Sequence, residues 1–346
     1  MIETATRMAD ELCEAPRAVT DQAKALAAPL GDLVARLKSR PPQLVVTCAR
    51  GSSAHAATFG KHLIERHLGI PVAALAPNIA TVYRHTLRLS GQLFLAVSQS
   101  GRSDDLVESA AMAKAAGALT VALVNVTDSP LAAACDIVLP MEAGPERSVA
   151  ATKTFIASLA ALLRLIAIWS EDDPALPAVL ERLPDRLAEA AALDWGAAAT
   201  AFALAPSLIA IGRGPTLAIA REAALKLKEI ANLHAEAFSG AEFLHGPVAL
   251  VSTRYPILMF VPHDEAADGL RRLAANLAGK GAALFVADPG TEPAHASQLP
   301  VLAPNHPEAD ALCQIQSFYT MMVALAERLG IDPDRPRHLQ KVTRTR

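Results

Sequence analysis

Leu44–Ser53, with the sequence LVVTCARGSS, joins an unbroken apolar run to a loop that contains glycine and serine. The run Leu44–Cys48 is typical of a strand that is buried on both faces of a parallel sheet. After the loop Ala49–Ser53, the sequence predicts a helix over Ala54–Leu68. A buried strand that leads through a short loop into a helix is the repeating unit of an α/β fold.

The same alternation of strand and helix continues beyond this unit. Residues 1–40 precede it and are predicted to be helical, because their apolar side chains recur at helical spacing before Pro41 and Pro42. Later apolar runs predict the strands Pro71–Leu75, Leu93–Val97, Leu119–Val124 and Ile137–Leu139. The helices Asp104–Ala116 and Ala151–Trp169 are predicted to lie between or after these strands.

The second half of the chain repeats the first. Three pairs of segments correspond, and their separations agree to within one residue: Ala49–Gly51 with Gly212–Gly214, Leu93–Val97 with Ile257–Val261, and Gly117–Leu123 with Gly281–Ala287. Such agreement predicts two tandem copies of one α/β unit. We expect a helical segment over 1–40, a first domain over 41–185, a second over 186–330 and a C-terminal tail over 331–346.

Composition limits the class of protein. At 346 residues, with 52% hydrophobic and 19% charged residues, the chain can form two domains with buried cores. The net charge of −3 indicates neither nucleic acid nor an anionic membrane as a partner. The N-terminus has no signal-peptide pattern, and no apolar run reaches the roughly 18 residues of a membrane helix, so we expect a cytoplasmic protein. The scattered Cys13, Cys48, Cys135 and Cys313 are predicted to be small buried residues.

Ionisable side chains concentrate in Arg221–Pro247, with the sequence REAALKLKEIANLHAEAFSGAEFLHGP. Glu222, Lys226 and Glu229 are spaced so that one helix face presents all three, and His245 follows in a His-Gly-Pro turn. Carboxylates, an ammonium and an imidazole are the groups that move protons on a small polar substrate. The alternative for Glu222 and Lys226 is a solvated surface pair that contributes a few tenths of a kcal/mol.

Ser98–Ser103, with the sequence SQSGRS, follows a predicted strand and precedes a predicted helix. In parallel α/β sheets ligands bind at the carboxyl ends of strands, where helix N-termini favour anions. Three hydroxyls in this loop therefore favour a phosphate monoester, and Ser52 and Ser53 could close the same pocket. The alternative is that one serine caps the helix and the others fill an ordinary turn.

Several other motifs are absent from the sequence. It contains no Walker A motif and no HExxH, and Gly212-Arg213-Gly214 lacks the third glycine of a dinucleotide-binding loop. We therefore expect no metal and no cofactor.

The segments ARGSS, SQSGRSDD, ERSVAATK, GRGPTLAIAREAALKLKEIANLHAEAFSGAEFLHGP and DRPRHLQK together resemble the sugar isomerase (SIS) domain family. The resemblance covers nearly the whole chain. It is closest to the isomerase half of glucosamine-6-phosphate synthase and to the stand-alone SIS-type glucosamine-6-phosphate deaminases. It implies two SIS domains, each a five-stranded parallel sheet in an αβα sandwich, associated as a homodimer.

The resemblance also implies roles for residues of this chain. Glu229 would shuttle the proton between C1 and C2, with Lys226 beside it and Glu222 in support. His245 would open the sugar ring from the neighbouring subunit, and Lys341 would close over the site and could form an imine. The implied substrate-binding residues are Ser52, Ser53, Ser98, Gln99, Ser100 and Ser103 for the phosphate and the backbone of Val149 and Ala150 for the sugar.

Departures from the family pattern bear on the reaction. Ala151 replaces a serine, His338 stands where the synthase has asparagine, and the synthase's glutaminase domain is missing from this sequence. We therefore expect an isomerase/deaminase that converts glucosamine 6-phosphate to fructose 6-phosphate and ammonia. The substrate stays open among glucosamine, galactosamine and glycated-amine 6-phosphates. The alternatives are an aminotransferase-like isomerase subunit and a sugar-phosphate-binding regulator, although a sensor has no need of Glu229, His245 and Lys341 together.

Overall fold

The computed structural model describes residues 6–170, 172–290 and 296–341. The chain divides into two compact units. The first-sheet unit comprises Arg17–Glu146, Lys153–Leu180 and Gln340–Arg346, and the second-sheet unit comprises Met1–Pro16, Arg147–Thr152 and Glu181–Leu339. The domain limits expected from the sequence stay a prediction, and residues 342–346 of the expected tail lie outside the described residues.

Strands and helices alternate along most of the chain, as the sequence predicted. The helices are α1 Arg7–Cys13, α2 Ala15–Ser39, α3 Gly51–Leu68, α4 Asn78–Thr81, α5 Asp104–Ala115, α6 Pro130–Ala134, α7 Lys153–Trp169, α8 Leu176–Ala191, α9 Gly196–Phe202, α10 Thr216–Ala231, α11 Gly240–Phe243, α12 Ala267–Gly279 and α13 Pro307–Leu329. The strands are β1 Val45–Ala49, β2 Val72–Ala74, β3 Leu93–Ser98, β4 Leu119–Val124, β5 Ile137–Pro140, β6 Ser207–Gly212, β7 His234–Ser239, β8 Pro256–Phe260, β9 Ala283–Ala287 and β10 Ser297–Leu299.

The first sheet has the strand order β2-β1-β3-β4-β5, and every pair is parallel. All six residues of β3 are buried, which explains its unbroken apolar run. Apolar side chains of α5, among them Leu106 and Ala110, join Val46 and Phe94 of the sheet in one buried cluster. At about 25 cal/mol per Å² of apolar surface, such burial is the main favourable contribution to folding.

The second sheet has the order β10-β9-β8-β6-β7, again all parallel. Read from β7, this is the order of the first sheet, with β6 and β8 in the places of β1 and β3. The glycines of the repeated Arg-Gly turns, Gly51 and Gly214, both have a positive φ, of 54° and 58°. The predicted fold, two tandem units with five-stranded parallel sheets, is confirmed.

Some local expectations were wrong. The described part of the segment expected to be helical forms two helices, α1 and α2, as a helical segment would. α7, in contrast, begins at Lys153, two residues later than predicted, because residues 147–152 are irregular. Cys13 is exposed, whereas burial raises the pKa of Cys48, Cys135 and Cys313 to about 12.

Among the described residues, none of the helices has the length and apolar character to cross a membrane.

Candidate functional site

Three ionisable residues of α10 form a continuous ion-pair network in the second-sheet unit. The Lys226 ammonium donates to Glu229 Oε2 at 2.5 Å and lies 3.1 Å from Glu222 Oε1. These are the three residues that the helical spacing placed on one face. The structure therefore brings together the carboxylates and the cation that the sequence singled out.

The network is buried at one end and open at the other. The side chains of Glu222 and Lys226 are completely buried, whereas that of Glu229 is 21% exposed. The alternative of a solvated surface pair for Glu222 and Lys226 is thereby excluded. Glu229 is the member of the network that a small molecule can reach.

The charge state of Lys226 follows from its surroundings. Burial is the largest single influence and disfavours the ammonium, but the charges of Glu222 and Glu229, with their hydrogen bonds, outweigh it and raise the pKa of Lys226. Lys226 is thus held as a cation between two carboxylates. A buried ion pair of this kind persists because each charge has a partner, and removing one partner leaves the other uncompensated.

Tyr319 of α13 completes the buried end of the network. Its hydroxyl lies 3.2 Å from Glu222 Oε1 and donates to it, and the tyrosine side chain is itself buried. Sequence analysis missed this residue, because its partner is distant in the chain. The local signal in the sequence was a tyrosine within a long apolar helix, because the hydroxyl of a buried tyrosine usually has a hydrogen-bond partner.

The turn between β6 and α10 fixes the start of the helix. Gly212 ends β6, and a Cβ atom there would lie 2.2 Å from the carbonyl oxygen of Thr216, so the close approach requires glycine. At the other end, Asn232 adopts the left-handed conformation that terminates the helix. With both ends defined, Glu222, Lys226 and Glu229 have a fixed position at the centre and C-terminal end of α10.

His245 lies outside this network. It follows α11 and is exposed, and no hydrogen bond or ion pair joins its side chain to any residue that the structure describes. Its neighbours Leu244 and Leu250 are also exposed, at 54% and 53%. The structure of one chain therefore does not bring His245 into contact with Glu229.

The first-sheet unit brings the two serine loops to one edge of its sheet. β1 and β3 are adjacent and parallel, with Ala49 paired to Val97, so the loops that follow them share the carboxyl edge. Ser52 and Ser53 lie in the first turn of α3, and Ser98–Ser103 leads into α5. The Arg50 guanidinium joins the loops, because its Nε donates to Asp105 Oδ2 at 2.9 Å. This pairing also compensates one acidic charge at the N-terminus of α5.

The serines of the second loop fill a turn but do not cap the helix. Ser103 occupies the N-cap position of α5, but its hydroxyl accepts no capping hydrogen bond. Ser98 Oγ accepts from the Gly101 amide at 3.0 Å, and Ser100 Oγ accepts from the Arg102 amide at 3.3 Å. The Ser100 and Ser103 side chains are partly exposed, as is Gln99. Hydroxyl donors are thus available where a helix N-terminus favours an anion.

Gly101 gives this loop its shape. Its φ is 62°, and a Cβ atom at this position would lie 2.2 Å from Ser129 Oγ. Both the positive φ and the close approach favour glycine.

Phosphate binding by this loop is a prediction that mutation can check. Replacing Ser100 and Ser103 together by alanine should raise KM for a phosphorylated sugar by at least about tenfold, because charge-assisted hydrogen bonds are lost. Ser90→Ala, in the loop before β3, serves as the matched control. Unchanged affinity of the double variant for fructose 6-phosphate would place the phosphate elsewhere.

Lys341 has a defined partner within the first-sheet unit. Its ammonium lies 3.1 Å from Oε2 of Glu146, whose side chain is completely buried. Glu146 also accepts from the Thr154 amide at 3.1 Å and from its hydroxyl at 2.6 Å. In this structure the Lys341 ammonium pairs with a carboxylate, and its role as an imine-forming lysine stays a prediction. Sequence analysis missed Glu146, although it opens the ERSVAATK segment.

Val149 and Ala150 lie in the irregular segment before α7. Ala150 is buried and Val149 is partly exposed. Their place as a sugar-lining backbone stays a prediction. Within the residues described, no group of three or more His, Cys, Asp or Glu side chains is arranged to hold a metal ion.

The chain is similar in sequence to an aminotransferase of known name. A glutamine–fructose-6-phosphate aminotransferase [isomerizing] from Aquifex aeolicus is 33% identical over 345 residues, which cover 96% of this chain and 57% of the relative. The chain thus spans little more than half the length of that protein.

Two solved structures share the fold over nearly the whole chain. A "putative phosphosugar isomerase" from Silicibacter pomeroyi is 45% identical, with a TM-score of 0.90 and coverage of 95% of this chain and 100% of that one. The C-terminal domain of glucosamine-fructose-6-phosphate aminotransferase from Francisella tularensis is 27% identical, with a TM-score of 0.84 and coverage of 96% and 99%.

Each of the two sheets lies within a match to the same protein family. The SIS domain matches residues 40–168, which contain β1 to β5, and residues 202–326, which contain β6 to β10. With two such matches over more than half of its length, the chain belongs to the SIS domain family.

Proposed function

We propose that this chain is an aldose–ketose isomerase/deaminase that acts on an amino-sugar phosphate, with glucosamine 6-phosphate as the leading substrate. The observation that carries the proposal is the network on α10, in which a partly exposed carboxylate is joined to a buried cation. Such an arrangement suits a general base that acts near a developing negative charge.

The proposed chemistry uses one base for two proton transfers. In the ring-opened sugar, Glu229 removes the proton from C2 and delivers it to C1, while Lys226 holds the carboxylate in place. For a 2-amino sugar this converts the C1 aldehyde to a hydroxymethyl group and the C2 amine to a ketimine, with one further proton passing from the amine nitrogen to the C1 oxygen. Water then adds to the C=N bond, and its hydrolysis releases ammonia and the ketose phosphate. The Ser98–Ser103 loop, with Ser52 and Ser53, would bind the phosphate.

The test is to incubate the chain with glucosamine 6-phosphate alone and to measure ammonia and fructose 6-phosphate. We expect equal amounts of both, and release at least about 10²-fold slower with Glu229→Gln. The same assay on galactosamine 6-phosphate and on glycated-amine 6-phosphates identifies the substrate. Release of ammonia from none of these compounds would refute the deaminase.

A second candidate is an aminotransferase-like sugar isomerase subunit. The identity to the Aquifex aeolicus aminotransferase over 96% of this chain favours it. In that case glucosamine 6-phosphate alone gives no ammonia, whereas fructose 6-phosphate with a source of ammonia, or with glutamine and a partner protein, gives amino sugar. A regulator would bind the sugar phosphate and convert it in neither assay.

We also propose a cytoplasmic homodimer in which His245 acts on the partner's substrate. This is supported by the exposure of His245 between the exposed Leu244 and Leu250, because exposed apolar side chains mark interaction surfaces.

The dimer proposal predicts complementation between inactive variants. Mixing Glu229→Gln and His245→Ala protomers should restore up to about a quarter of wild-type turnover, because random exchange creates hybrid dimers with one intact composite site. Mass spectrometry of isotope-labelled protomers verifies exchange. Exchange without recovered turnover would show that His245 does not act across an interface.

A further inference from the structure

Glu11, on the N-terminal helix α1, lies against a segment that is far from it in the sequence. Its side chain is buried, with 5% exposed. The carboxylate accepts from the backbone N–H of Arg147 through Oε1 and from that of Ser148 through Oε2 at 3.2 Å. Two successive amides thus point at one buried carboxylate, and such charge-assisted hydrogen bonds are stronger than those between neutral groups.

The helix that carries Glu11 is fixed at both ends. Asp334 caps it, because its carboxylate accepts from the amides of Arg7 at 2.8 Å and Met8 at 2.9 Å. At the other end, Gln316 Nε2 of α13 donates to the carbonyl oxygen of Leu12 at 2.8 Å. Glu11 therefore projects from a helix that is held in place on either side of it.

The two amides precede Val149 and Ala150, the residues proposed to line the sugar. Peptide units are planar, so fixing the N–H groups of Arg147 and Ser148 also fixes the carbonyl groups of the same peptide units. Glu11 thereby restrains the two peptide units that lead to Ser148, directly before Val149. Residues 147–152 have no regular secondary structure of their own to impose it.

We propose that Glu11 is a positioning residue for the substrate-lining backbone at Val149 and Ala150. It lies outside the residues that match the SIS domain. The part of the inference that concerns the sugar rests on the proposed function. The hydrogen bonds from the Arg147 and Ser148 amides to Glu11 do not depend on that function.

Docking of α1 alone would not require a carboxylate. Met8 and Leu12 of α1 are already buried and can dock the helix through apolar contact. Burying a carboxylate carries a large desolvation penalty, which its hydrogen bonds must offset. Here the donors are backbone amides of the segment to be positioned.

The test compares Glu11→Gln with the control Glu14→Gln, an exposed carboxylate three residues further on. Amide hydrogen exchange is measured at Arg147 and Ser148, together with KM, kcat and the calorimetric affinity for fructose 6-phosphate. We expect exchange at both amides to quicken about tenfold, KM to rise severalfold and kcat to change less, with no change in the control.

The outcomes separate the two proposals. Unchanged exchange in Glu11→Gln refutes the hold on the amides, and faster exchange with unchanged KM and affinity reduces Glu11 to a structural residue. If wild type turns over no sugar phosphate, the proposed function fails, but exchange and affinity still decide the role of Glu11. Should Glu11→Gln not fold, Asp334→Asn loosens α1 at its capped end, and a smaller rise in exchange at the same amides is expected.

Discussion

Replacing Lys226 by methionine is expected to lower the free energy of unfolding by about 3–5 kcal/mol and to abolish turnover. Methionine keeps much of the side-chain volume but removes the ammonium. Glu222, which is completely buried, then retains the Tyr319 hydroxyl but loses its cation. Glu229 loses the donor at 2.5 Å that fixes its carboxylate. Denaturant unfolding and the ammonia assay measure the two effects.

The matched control is Lys228→Met, on the same helix two residues away. Lys228 is exposed, and its ammonium donates to the carbonyl oxygen of Ala235 at 2.9 Å. Its replacement should cost about 1 kcal/mol or less and leave turnover intact. In the Lys226→Met background, adding Glu222→Gln should restore part of the lost stability, because the uncompensated charge is removed. Equal stability of Lys226→Met and Lys228→Met would contradict a coupled buried network.

The sequence predicted the local part of this network and could not predict its environment. Helical spacing alone places Glu222, Lys226 and Glu229 on one face. Whether that face meets solvent or protein depends on α13, whose Tyr319 comes much later in the chain. The alternative of a solvated pair therefore stayed open until the packing was known.

Among the strands, too, only those with a clear local pattern could be predicted from the sequence. Central strands such as β3 are buried throughout and were recognisable as apolar runs. The edge strand β2 has only three residues, two of them exposed, and was predicted longer than it is. β10, another three-residue edge strand, was not predicted at all. Edge strands of three residues are too short to show the hydrophobic pattern that identifies a strand.

Long-range polar contacts were beyond sequence analysis. Glu146 with Lys341 and Glu11 with Arg147 and Ser148 join residues that are distant in the chain. Nothing in the local pattern distinguishes these carboxylates from those on a solvated surface. Burial and the identity of the donors make the difference, and both arise from tertiary structure.

Replacing Glu229 by glutamine is expected to reduce kcat for ammonia release by about 10² or more while KM changes little. Glutamine has the same shape and its side-chain oxygen can still accept from the Lys226 ammonium, but it cannot take a proton from C2. The control is Glu236→Gln, an exposed carboxylate on β7. Exchange of the C2 proton with deuterated water, followed by NMR, measures the step directly and should disappear in Glu229→Gln. If turnover and exchange persist near wild-type rates, another group removes the proton, and Glu229 serves only to hold Lys226.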